Sequence, residues 1–124
     1  MMLEPRSRRF EPHMAFNVVV SNLVLLRINA AIDYIEHVCN NRQYAKRLYD
    51  AIQKSILELE TKDRFHVRDQ EASLLIGRDV NRIKLGRYKL LYVIDNRENV
   101  VTVFSFFHEA QNFEKFIASD LANT

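Results

Sequence analysis

This chain of 124 residues has few residues that cross-link a fold or interrupt its helices and strands: one Cys, two Gly and two Pro. It has no Trp. Cys39 alone cannot form an internal disulfide, and the lack of a second Cys or of a spaced His pair excludes a zinc site. A chain of this length buries roughly two thirds of its unfolded surface, so its core needs neither a disulfide nor a metal for stability. We therefore expect one domain without metal or cofactor in a reducing, cytoplasmic environment.

A large net charge and a long apolar run are also missing. The 18 basic and 16 acidic residues leave a formal charge of +2, too small to indicate nucleic-acid binding by the whole chain, so any basic site must be local. A membrane-spanning helix needs about 20 consecutive apolar residues, and no window supplies them.

Several arginines before an apolar stretch from Met14 to Leu26 superficially resemble an export signal, but polar residues interrupt that stretch. Residues 1–13 are predicted to be a disordered lead or a remnant of expression, and residues 14–124 a single domain.

Hydrophobic spacing predicts a strand and two helices in the first half of the chain. Phe16–Val20 is a short β-branched run that ends at Ser21, a favoured N-cap residue. Apolar residues then recur at steps of three and four to about Val38, which predicts an amphipathic helix. After an asparagine turn the same period continues from Arg42 to about Thr61. Two helices joined by so short a turn should form an antiparallel hairpin.

The second half is predicted to consist mainly of strands. Lys62–Ile76 is charged and irregular, and is interpreted as a connecting loop with one short strand near Leu74–Ile76. The tail from Glu109 to Leu121 has helical spacing. Three strands lie between them: Val80–Leu85, Tyr88–Asp95 and Val100–Phe107. The predicted fold is α+β: an N-terminal strand, an α-helical hairpin, a three-stranded antiparallel meander completing a four-stranded sheet, and a C-terminal helix.

The strongest local chemical signal is a basic cluster. Alternation places Arg82 and Lys84 on one side of a strand, away from Ile83 and Leu85. Such cations can bind phosphate oxygens or stabilise the charge of a phosphoryl transition state, but they also commonly form a solvated sheet face. The cluster, opposed within its own stretch only by Asp79, comprises Arg78, Arg82, Lys84, Arg87 and Lys89.

His108 closes the last predicted strand. An imidazole that titrates near pH 6.5 can donate a proton to a leaving oxygen, and strand ends are common places for such groups. A single His without a spaced partner is more often structural or merely exposed. Both interpretations of His108 therefore stay open.

Two segments carry a resemblance to a known family. They are Ala31-Ile32-Asp33-Tyr34-Ile35 in the first helix and the run Asn-Arg-Ile-Lys-Leu-Gly-Arg-Tyr-Lys-Leu-Leu-Tyr-Val-Ile-Asp from Asn81 to Asp95. With the order of elements, they resemble the RelE/ParE superfamily of toxins from bacterial type II toxin-antitoxin systems, over about Phe16 to Phe116. The resemblance implies a RelE/ParE-like fold for nearly the whole domain.

The resemblance also implies an activity, that of the branch that cleaves ribosome-associated mRNA without metal. In that chemistry the RNA 2′-hydroxyl attacks the adjacent phosphate. By position, Arg82 and Lys84 would be catalytic, with His108 as the proton donor. Arg78, Arg87 and Lys89 would bind RNA phosphates. The sequence departs from this branch after His108, because Ala110 and Gln111 replace the expected arginines.

Two alternatives remain within the resemblance. ParE-like members inhibit DNA gyrase without being nucleases, and a degenerate member would act only as a protein-binding module. Convergence of Arg82, Lys84 and His108 on one concave sheet face would favour the nuclease, whereas their scattering would favour partner binding.

The resemblance further implies a cognate antitoxin, a toxin-antitoxin hetero-oligomer and a role in plasmid stabilisation. An antitoxin helix would cover the sheet or displace the closing helix. An apolar groove bordered by Phe104, Phe106, Phe113 and Phe116 would suit such a helix. Alternatively, these rings merely pack the tail onto the sheet.

Overall fold

The structure is a computed structural model that describes residues 16–61 and 66–124. The predicted lead at residues 1–13, the domain boundary at Met14 and the first part of the predicted connecting loop lie outside the described residues. The strands are β1 (Asn17–Val20), β2 (Val67–Arg68), β3 (Asn81–Leu85), β4 (Tyr88–Asp95) and β5 (Val100–His108). The helices are α1 (Asn22–Asp33), α2 (Arg42–Glu58), α3 (Gln70–Ile76) and α4 (Ile117–Ala122), with a π-helical turn at Tyr34–Val38 and a 3-10 turn at Phe113–Lys115.

The strands form one mixed sheet in the order β1-β5-β4-β3-β2. β1 runs parallel to β5, while β5, β4, β3 and β2 are successively antiparallel. The predicted α+β architecture is confirmed, with the two-residue strand β2 extending the sheet beyond β3. α1 and α2 carry the chain from β1 at one edge of the sheet to β2 at the other, and the successive strands β2 to β5 return it to lie parallel beside β1.

Both faces of the sheet are covered. We call the side under α1 and α2 the hairpin face, where Val24, Ile28, Leu48 and Ile52 pack against sheet residues. The sheet side chains in this contact are Ile83, Leu90, Tyr92, Val101, Val103 and Phe106. We call the other side the C-terminal face, where Ala72 of α3 and Ile117 of α4 pack on Leu91, Val93, Phe104 and Phe107.

Side-chain caps begin both helices of the predicted hairpin. The Ser21 hydroxyl accepts a hydrogen bond from the Val24 N–H at 3.2 Å, as its N-cap position requires. The Asn41 side chain accepts from the Tyr44 N–H at 3.1 Å. Asn40 has φ of 53°, a left-handed conformation that Asn tolerates better than most residues. These polar residues therefore set where the chain reverses.

The predicted strand near Leu74–Ile76 is wrong, because these residues belong to α3. The Asp69 carboxylate caps this helix by accepting from the Ala72 N–H at 3.0 Å, and Gly77 ends it in the left-handed conformation, with φ of 84°. An Asp and a Gly eight residues apart are start and stop signals for a short helix. Seven residues are too few for hydrophobic periodicity to show it.

The closing helix is also shorter than predicted. Within Glu109–Leu121 the chain first makes a turn closed by the Gln111 N–H and the His108 carbonyl, at 2.9 Å. The 3-10 turn follows, and α4 begins only at Ile117. Phe113 and Phe116 thus approach the sheet from irregular backbone before α4.

Candidate functional site

Three of the predicted cations share the C-terminal face. Lys84 pairs across strands with Lys89, and Arg82 pairs with Leu91, whose side chain belongs to the core of that face. Ile83 and Leu85 pack on the hairpin face, as alternation requires. Arg82, Lys84 and Lys89 are therefore on the same side of adjacent strands.

Two of these cations share Asp69. The Lys89 Nζ lies 3.4 Å and the Arg82 Nη1 3.8 Å from the same Asp69 carboxylate oxygen, and this side chain is only 7% exposed. Arg82 also donates to the Arg68 carbonyl at 3.1 Å. Since a buried carboxylate is tolerated only when it is paired, Arg82 and Lys89 compensate the charge that caps α3. Sequence reasoning missed Asp69, although its position before Gln70 and Glu71 marks a helix start.

The other cations of the cluster lie apart from this pair. Lys84 and Arg87 share the Glu109 carboxylate at 3.8 and 3.3 Å, next to the β3–β4 turn. Arg78 lines a groove with Asp95 and Glu98 near the opposite end of β4. The predicted basic cluster is thus divided into three places, each containing acidic groups.

A bulge in β5 decides which face His108 occupies. Leu91 pairs with Ser105 while Tyr92 pairs with Val103, so Phe104 is an extra residue in β5. An extra residue reverses the alternation of every following side chain. Val103 and Phe106 therefore both pack on the hairpin face, and so does His108, which pairs with Tyr88. His108 lies on the opposite side of the sheet from Arg82, Lys84 and Lys89.

Local contacts hold the His108 ring. Its centroid is 5.1 Å from that of Tyr88, in an edge-on arrangement, and its Nδ1 accepts from the Ala110 N–H at 3.0 Å. The His108 N–H donates to Gln111 at 2.9 Å. Ala110 and Gln111, which replace the expected arginines, thus orient the ring and the turn after β5.

Burial, reinforced by the nearby Tyr44, Cys39 and Tyr34, raises the pKa of Tyr88 above 10.0, so its phenol remains protonated at neutral pH.

The four phenylalanines predicted to border a docking groove occupy different surroundings. Phe104 and Phe106 are both buried, on the C-terminal face and the hairpin face respectively. Phe113 stacks on Phe107 with ring centroids 5.6 Å apart, and Phe116 meets Phe107 edge-on at the same distance. Phe113 and Phe116 therefore join the tail to the sheet, and their role toward an antitoxin stays a prediction.

A buried polar network holds α4, and sequence reasoning missed it. Asp120, 3% exposed, accepts two hydrogen bonds from the Arg27 guanidinium, at 2.6 and 3.0 Å, and one from the Ser105 hydroxyl at 2.7 Å. The guanidinium also lies 5.0 Å from the Phe116 ring centroid. β1 pairs with β5 only as far as Val103, so Arg27 can connect α1 to α4 beside the part of β5 that β1 does not reach.

The described ranges hold neither a metal-binding cluster nor a membrane-spanning helix. Residues 16–61 and 66–124 contain no group of three or more His, Cys, Asp or Glu placed to hold a metal ion. In the same ranges, no helix combines the length and apolar character needed to cross a membrane.

Fold and site together define an α+β domain of the RelE/ParE type, with a sheet covered on both faces. The family model for the ParE toxin of type II toxin-antitoxin systems, parDE, matches residues 18–113. The chain therefore belongs to the ParE toxin family, and is a toxin of a type II toxin-antitoxin system for which the family implies a cognate antitoxin. No curated protein and no solved structure matches the chain.

Proposed function

We propose that this toxin acts by binding a protein target, DNA gyrase, and not by cleaving mRNA. The carrying observation is the separation of the predicted nuclease residues by the sheet. A proton donor and the cations that stabilise a phosphoryl transition state must reach one phosphate together. His108 lies on the hairpin face, while Arg82 and Lys84 lie on the C-terminal face.

The ion pairs support the same proposal. Arg82 and Lys89 are positioned by Asp69, whose charge they compensate, so their contacts account for a structural role in anchoring α3. The Nδ1 of His108 is occupied by the Ala110 N–H, which gives the ring a structural role at the end of β5. The chain belongs to the ParE family, and its resemblance to ParE-like members implies gyrase inhibition, which agrees with the proposed target.

The test combines one assay in cells and one with purified components. Induced expression should arrest growth while reporter mRNA stays intact, and the purified chain should inhibit the supercoiling of relaxed plasmid by gyrase. A double variant, Arg82→Ala with His108→Ala, should retain inhibition if its melting temperature shows that it folds. Arrest accompanied by mRNA cleavage that this variant abolishes would instead establish the ribosome-associated nuclease. Absence of arrest together with an unaffected gyrase would leave a degenerate binding module.

A further inference from the structure

The outer side of α2 carries an excess of positive charge. From Arg42 to Lys54 the helix has four cations and one acid, Asp50. At 3.6 residues per turn the four cations fall within an arc of about 140°, opposite the buried Ala45, Leu48 and Ile52. They span about 18 Å along the helix axis at 1.5 Å per residue. The four are Arg42, Lys46, Arg47 and Lys54.

Part of this charge has no acidic partner. Arg42 lies 3.5 Å from Glu36 and Lys46 lies 3.2 Å from Asp50. Arg47 and Lys54 are exposed and form no ion pair with any residue in the ranges 16–61 and 66–124. They differ in this from Arg82 and Lys89, which share a buried carboxylate.

The β3–β4 turn extends this charge beyond α2. The Tyr44 hydroxyl lies 3.3 Å from the position that a Cβ on Gly86 would occupy, so α2 touches the turn directly. The Arg47 guanidinium lies 6.0 Å from the Tyr44 ring centroid. On the turn, Arg87 is 75% exposed and shares the single carboxylate of Glu109 with Lys84 of β3. We call the surface formed by Arg42, Lys46, Arg47 and Lys54 of α2 with Arg87 of the adjoining turn the basic face.

We propose that the basic face binds the phosphate backbone of duplex DNA. A row of cations on a rigid helix suits the regularly spaced phosphates of a duplex, where binding releases condensed counterions. Single-stranded RNA is typically held by open aromatic rings on which bases stack. Here the Tyr88 ring stacks on Phe106 with centroids 5.2 Å apart, and Tyr44 packs against the turn. On α2 the exposed Tyr49 accepts a hydrogen bond from Gln53 at 3.0 Å, so the row of cations, and not a set of open rings, favours a duplex. The choice of duplex DNA rests in part on the proposed function, since gyrase acts on DNA.

The test measures fluorescence anisotropy of labelled duplex DNA and of single-stranded RNA of equal length, titrated with the full chain without gyrase. Duplex affinity should fall with salt, with a log–log slope of roughly −2 to −4 for the five cations and their partial compensation. Arg47→Ala combined with Lys54→Ala breaks no ion pair with a described residue. This double variant should weaken duplex binding by roughly tenfold and reduce the slope by about 2.

A matched control removes the same charge elsewhere. Arg97→Ala combined with Lys115→Ala changes the β4–β5 turn and the 3-10 turn, and should leave DNA affinity within about twofold of the parent because it spares the basic face. Equal effects of the two double variants, tighter binding of RNA than of duplex, or no duplex binding at low salt would each overturn the inference. Gyrase inhibition without DNA binding would refute only this inference, whereas DNA binding without gyrase inhibition would refute only the proposed target.

Discussion

The two faces of the sheet are covered by different means. On the hairpin face, helices of twelve and seventeen residues bury apolar side chains such as Ile28 and Leu48. On the C-terminal face, α3 and α4 have seven and six residues, too short to be stable alone. Buried polar groups accompany the apolar contacts there: Asp69 caps α3, and Asp120 joins α4 to Arg27 and Ser105. We infer that apolar area stabilises the first face, while specific polar contacts position the elements of the second.

The largest expected effect is on the hairpin face. Leu48→Ala should lower the free energy of unfolding by about 2–5 kcal/mol, because it leaves a cavity between α2 and the sheet. Urea denaturation followed by circular dichroism measures this loss. The control is Leu57→Ala on the same helix, where the side chain is 64% exposed and the expected change is within about 0.5 kcal/mol. Similar values for the two variants would contradict an apolar origin of stability on this face.

The second-largest expected effect is the loss of the polar contacts that Asp120 makes on the C-terminal face. Asp120→Ala leaves Arg27 and Ser105 without their shared acceptor, and should cost about 3 kcal/mol, the lower end of the range for a broken buried pair, because Arg27 retains 31% exposure. Amide hydrogen exchange should accelerate in α4 before it does in α2, since the lost contacts hold α4.

Two control variants separate the contributions at Asp120. Asp120→Asn removes the charge while keeping an acceptor, and should be intermediate. Asp33→Ala removes a carboxylate that is 75% exposed and should change stability little. Exchange that accelerates uniformly across the sheet in Asp120→Ala would show that α4 is not a separately held element.

The same difference explains how far the sequence predicts the structure. The hairpin and the strand alternation at Ile83 and Leu85 follow from local spacing, and both agree with the structure. The contact of Arg27 with Asp120 joins residues 93 positions apart, which no local pattern reveals. Its parts, an Arg on one helix and an Asp on another, look like ordinary surface residues.

The candidate site shows a second limit of local patterns. The sequence contains Arg82 and His108 at family-like positions, but the side of the sheet that His108 occupies depends on the bulge at Phe104. That bulge lies in a run in which nearly every residue is apolar, from Val100 to Phe107, so period-two alternation gives no signal of register. Only the pairing of Leu91 with Ser105 and of Tyr92 with Val103 reveals the reversal.

The smallest expected effect is a change in the pH dependence of stability at the edge of the hairpin face, where Tyr88 contacts His108. Burial, with smaller contributions from Tyr44, Cys39 and Tyr34, raises the pKa of the Tyr88 phenol above its usual 10.0. A raised pKa in the folded state means that the unfolded chain releases this proton first as pH rises. The stabilising contribution is therefore fully present below pH 10.0 and is lost as pH increases through the folded-state pKa.

Tyr88→Phe should remove this contribution to the alkaline loss of stability. Thermal melting between about pH 8 and pH 11 should show a shallower decline for the variant than for the parent, with a small difference at neutral pH. Tyr49→Phe, on the exposed side of α2, provides the control for loss of a tyrosine hydroxyl. Parallel alkaline declines for Tyr88→Phe and the parent would mean that the phenol is as well solvated in the folded chain as in the unfolded one. Water would then reach the Tyr88 hydroxyl, and the buried core of the hairpin face would end at Phe106 instead of at Tyr88.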